Sequence, residues 1–170
     1  MSDASAEVLL DDFEKKDRWE LAGAGADRTH ITTFAEGAPS KPLGVYPDGA
    51  AGADYRALVL LVRSAADDLE VELVAKPGRS ITVPGQLSAL NLWVRSPHAA
   101  IRVSATLGDD RTLLLGKVSA DGEWQRVTHT AGTPIANATL VGLKVHLTDV
   151  VKHEGEVMIL LDDLTAHTTP

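Results

Sequence analysis

Along much of the chain, apolar and polar residues alternate one for one. Ile101-Arg102-Val103-Ser104-Ala105-Thr106-Leu107 is apolar at every second position. That is the period of a strand with one face on a core and the other in water. Leu69-Glu70-Val71-Glu72-Leu73, Leu90-Asn91-Leu92-Trp93-Val94-Arg95 and Leu143-Lys144-Val145-His146-Leu147 repeat the pattern. Two runs, Leu58–Val62 and Val157–Leu161, are apolar throughout. Unbroken runs of that length predict central strands covered on both faces.

Turn chemistry separates the runs at short intervals. Pro47-Asp48-Gly49, Lys76-Pro77-Gly78, Pro84-Gly85, Gly108-Asp109-Asp110, Asp121-Gly122 and Glu154-Gly155 supply the stops. Short strands punctuated in this way predict an all-β, two-sheet β-sandwich of jelly-roll type, with about ten strands. Val8–Trp19 fits a helix or a strand followed by a loop. Gly37–Asp54 reads as irregular loop around a short strand at Leu43–Tyr46. No tandem repeat or linker interrupts the chain. Its 170 residues form one expected domain, with 1–6 as a flexible terminus.

Composition narrows the function. The formal net charge of −8 and scattered Lys and Arg argue against nucleic acid. With no cysteine there are no disulfides, thiolate metal sites or Cys nucleophiles. No segment reaches the roughly 20 apolar residues that cross a bilayer as a helix. Met1–Glu7 has neither a basic n-region nor an apolar h-region, so it does not read as a signal peptide. It reads equally as a mature terminus or as a cytoplasmic start.

Candidate chemistry is sparse. No two of the six histidines share a metal-ligand spacing of two or four residues, so surface or structural roles are expected for them. Neither a G-x-S-x-G elbow nor a phosphate loop is present, and Gly23-Ala24-Gly25 opens no strand–helix unit. No nucleophile, base or metal set can be named, so no catalysis is expected. Two acidic clusters remain, Asp11-Asp12 with Glu14 and Asp162-Asp163. If the terminal strands are neighbours, Asp12, Glu14 and Asp163 could converge on a structural Ca²⁺. The plainer reading gives these acids to solvated turns and backbone N–H groups. Otherwise no cofactor is expected. Trp93 lies on the strand phase opposite Leu92 and Val94. Either it packs in the core, the commoner fate of Trp, or it offers a binding platform together with Tyr46 and Tyr55.

The order of short motifs adds a resemblance. Leu10-Asp11-Asp12-Phe13-Glu14 followed by Trp19, and the closing Ile159-Leu160-Leu161-Asp162-Asp163-Leu164, resemble the ends of galactose-binding-like jelly rolls. Phe34-Ala35-Glu36-Gly37, Lys41-Pro42-Leu43-Gly44-Val45 and Val83-Pro84-Gly85 leading into Leu92-Trp93-Val94 resemble the FlaA-type flagellar filament outer-layer proteins of spirochaetes. Ala35 stands where that pattern has Pro. The resemblance implies a non-catalytic sheath protein of the periplasmic flagellum, or one otherwise secreted, whose partners are flagellin and sister subunits. The alternative within the same fold is a carbohydrate-binding module.

Overall fold

The computed structural model describes residues 6–11, 13, 17–34, 57–63, 65–109, 111–151 and 155–169. Among these it shows two six-stranded sheets with every pairing antiparallel. The strands are β1 (Ala6–Asp11), β2 (Trp19–Ala22), β3 (Thr29–Phe34), β4 (Ala57–Arg63), β5 (Glu70–Ala75) and β6 (Ile81–Thr82). They continue with β7 (Gln86–Arg95), β8 (Ala99–Leu107), β9 (Thr112–Val118), β10 (Gln125–Ala136), β11 (Thr139–Val150) and β12 (Glu156–Thr169). A single 3-10 turn at Ala26–Arg28 precedes β3. The two-sheet sandwich is as expected, with twelve described strands against the ten read from pattern.

The first sheet runs β10-β7-β12-β4-β3. Its centre is β12, which pairs with β7 along one edge. Along the other edge Glu156–Leu161 pairs with β4, and Leu164–Thr168 pairs with β1. The second sheet runs β2-β5-β11-β8-β9, and β11 plays the same central part. One edge of β11 meets β8, and the other meets β5 and β6.

Alternation decides which side chains fill the space between the sheets. In β8, Ala99, Ile101, Val103, Ala105 and Leu107 point inward and are buried, while the residues between them are not. Leu90, Leu92 and Val94 of β7 join the same core, as do Val157, Ile159 and Leu161 of β12. Where β4 meets β12, the two unbroken apolar runs bury both faces. Leu58, Leu60 and Val62 belong to the main core. Ala57 and Val59 form a second cluster with Leu160, against which Trp124, Leu61 and Met158 pack.

Of the Val8–Trp19 stretch, Val8–Asp11 belongs to strand β1 and Trp19 opens β2. Asp11 accepts the Phe13 N–H at 2.8 Å and the Trp19 indole N–H at 2.8 Å. Phe13 takes a left-handed φ of 54° and is fully buried, its ring 6.0 Å from that of Trp19. The carboxylate thus ties the start of β2 to the end of β1.

Candidate functional site

The candidate site lies on the outer face of the first sheet, where β1, β12, β7 and β10 run side by side. Inward-facing Leu92 and Val94 turn Trp93 outward, and the residue keeps a minor part of its surface exposed. Across from it on β10 stands Arg126, and on β12 Asp162. One step along, the register aligns Thr128 of β10, Asn91 of β7, Thr165 of β12 and Leu9 of β1.

These side chains form a continuous polar chain. The Thr128 hydroxyl donates to Asn91 Oδ1 at 2.8 Å, and Asn91 Nδ2 donates to Thr165 Oγ1 at 3.3 Å. The Thr165 hydroxyl in turn donates to Glu7 Oε2 at 2.7 Å. Arg126 reaches the same oxygen at 2.6 Å. Because β7 and β12 separate β10 from β1, this ion pair lies across the face. The Thr165 hydrogen bond, aided by the Arg126 charge, holds the Glu7 carboxyl below its ordinary value against the opposing effect of burial.

A bulge completes the site. Between Asp162 and Thr165 the β12–β7 register shifts. Asp163 takes a φ of 42° there, and its N–H is held by Asp162 Oδ1 at 2.9 Å. An extra residue in one strand bends it and re-aims the side chains at that point. As a result Asp163 joins Trp93, Glu7, Leu9, Arg126 and Thr165 around a depression of about 320 Å³. Leu9 is 55% exposed, a large apolar side chain held in water at the rim. The outer face of the second sheet differs: with Trp19 buried in the core, among the described residues it presents no Trp, Tyr or Phe.

The structure therefore brings two expected residues, Trp93 and Asp163, to one place. It corrects the core placement favoured for Trp93, which belongs to the solvent side of its strand. Asp12, Glu14, Tyr46 and Tyr55 lie outside the described residues. Among the described residues no group of three or more His, Cys, Asp or Glu could hold a metal ion. Asp11, the acid next to the proposed calcium ligands, serves Phe13 and Trp19 instead. His98 Nδ1 accepts the Met158 N–H at 3.1 Å. Sequence reading missed Glu7, Leu9, Asn91, Arg126 and Thr165 as a group. Each stands on the outward phase of a strand, but they sit on four strands and share no sequence spacing.

No family model matches the chain, and neither does any curated protein. Solved structures do match its shape. The enzymatically active domain of tailspike protein 4 from bacteriophage CBA120 is similar over 94% of this chain, at 14% identity and a TM-score of 0.56. This chain spans 20% of that tailspike chain. A family 11 carbohydrate-binding module from a cellulosomal cellulase of Clostridium thermocellum is similar over 98% of this chain and 96% of its own. The identity there is 10% and the TM-score 0.51. The fold is a galactose-binding-like jelly roll. That much of the sequence resemblance stands. Nothing in the comparisons supports membership of the FlaA-type family.

Proposed function

We propose that this chain is a carbohydrate-binding module that takes a saccharide at Trp93 on the outer face of the first sheet. The observation that carries the reading is a partly exposed tryptophan set beside an exposed leucine and a pre-ordered set of hydrogen-bonding groups. A pyranose has an apolar face and a polar rim. Trp93 and Leu9 suit the face; Arg126, Glu7, Asp163 and Thr165 suit the rim. A few well-placed polar groups around an apolar floor are what orient small ligands generally. The likeness in shape to a family 11 carbohydrate-binding module supports the same reading.

Binding without turnover is part of the proposal. A glycosidase acid needs a carboxyl whose pKa is raised, whereas Glu7 is held low by Thr165 and Arg126. The flagellar-sheath reading rests on short sequence pieces, and no structural observation favours it.

The test is calorimetric titration with a panel of soluble polysaccharides and their oligomers. Wild type should bind at least one of them, and Trp93→Ala should weaken that binding by tenfold or more while leaving the melting temperature within about 2 °C. Undiminished binding after that substitution would move the ligand elsewhere and sink the assignment.

A further inference from the structure

On the far side of the molecule, charge is segregated across the outer face of the second sheet. Glu20 on β2 and Glu70 and Glu72 on β5 make one half acidic. Arg102 of β8 and Lys117 of β9 lie at the other side, with Lys144 and His146 of β11 between them and the acids. Register places Arg102 of β8 directly between His146 of β11 and Lys117 of β9. Like charges opposite one another across a sheet work against pairing.

Neighbouring basic groups here are matched by acids. Lys144 lies 3.4 Å from Glu72 and 3.9 Å from Glu70. The His146 ring nitrogen is 3.3 Å from Asp68. Arg102 is different. Among the described residues its Nε is the buried side-chain nitrogen left without a hydrogen-bond partner. Native proteins leave very few buried donors unpaired, and an exception asks for an ion or water to complete it. A guanidinium edge offers two parallel N–H groups, the geometry that grips a carboxylate, sulfate or phosphate.

We propose that Arg102, with Lys117 beside it, binds a single anionic group on the outer face of the second sheet. Such a group would lie between the Arg102 and Lys117 cations and turn their repulsion into shared attraction. One anionic group fits better than an extended polyanion. The chain carries a net charge of −8, and Glu70 stands opposite His146 on the next strand. The site shares no residue with the Trp93 face, so the two proposals stand or fall separately.

Thermal unfolding in sodium sulfate, against sodium chloride at matched ionic strength, tests it. Sulfate stabilises most proteins by exclusion from their surfaces, so the informative quantity is the difference between wild type and Arg102→Met. At tens of millimolar sulfate, the melting temperature of wild type should rise by about 2 °C or more above the rise seen for Arg102→Met, and Lys117→Met should respond to an intermediate degree. A parallel arm with a galacturonate trimer identifies the source of the anion. A wild-type gain in both arms points to an acidic saccharide, and a gain with sulfate alone points to a free oxyanion. Equal responses of wild type and Arg102→Met in both arms would overturn the site. If Arg102→Met does not fold, the nitrogen-15 shift of Arg102 Nε in wild type serves instead: movement on sulfate addition supports the proposal, and a fixed resonance refutes it.

Discussion

Asp11 serves a buried donor with each of its two oxygens, beside the Arg18 guanidinium at 3.8 Å. Oδ1 takes the Phe13 amide, and Oδ2 takes the Trp19 indole. Neither donor has easy access to bulk water, since both side chains are buried. Removing the acceptor therefore strands both. Asp11→Ala should lower stability by about 1–3 kcal/mol, read from urea unfolding, and Asp11→Asn should lose less because its one carbonyl still serves one donor. If the two substituted proteins unfold at the same urea concentration as wild type, the carboxylate is not what ties β1 to β2. The same residue shows where sequence reading stops. A pair of neighbouring acids reads equally as a metal site or as a turn, because the sequence does not reveal which N–H groups will face them. Trp93 teaches the opposite lesson. Its strand phase pointed outward, and only the general habit of Trp to be buried argued for the core. Leu92 and Val94 on either side settle the matter, because two consecutive strand residues cannot both face inward.

At the level of elements, β1 is fastened to the first sheet by pairing with the end of β12 and by Glu7, which faces Thr165 and Arg126. The folded state favours ionised Glu7, so its pKa is lower folded than unfolded. The stability it adds is full above the ordinary value of 4.5 and fades as pH falls through the lower, folded value. The side chain is 42% exposed, which keeps the effect small. Melting temperature followed from pH 6 down through this range should fall slightly faster for wild type than for Glu7→Gln. Thr165→Val should remove more of that difference than Arg126→Met, because the hydroxyl bond is the larger cause. Parallel curves for wild type and Glu7→Gln would remove Glu7 from the account. Strands such as β8 and β11 were legible because alternation writes burial directly into the sequence. Their order in the sheets was not, since pairing joins residues as far apart as Glu7 and His167. The bulge at Asp163 was equally hidden, because it arises from a shift between β12 and β7 and not from any local turn signal.

For the whole molecule, the sandwich has one large interior and a second apolar layer outside it at Ala57, Val59 and Leu160. Leu160 sits on the outer side of the first sheet yet is as buried as Leu92 on the inner side. Leu160→Ala should thus cost about 2–5 kcal/mol in urea unfolding, within the range expected for Leu92→Ala. A loss typical of a surface site would show that the outer layer packs loosely. The pattern of β4 and β12 anticipated this layer, for strands apolar on every residue must find cover on two sides.

The central place of β11 and β12 also governs how the protein can be made. Each is translated after all the strands it joins. A ribosome that has reached residue 138 has synthesised β1 through β10 and neither of the two strands that unite them. Until then each sheet exists as separate flanks with a gap in the middle, their greasy sides open to water. Closure of the two sheets consequently waits for β11 and β12, which make the contacts of highest sequence separation, and non-local pairings of that kind form late and slowly.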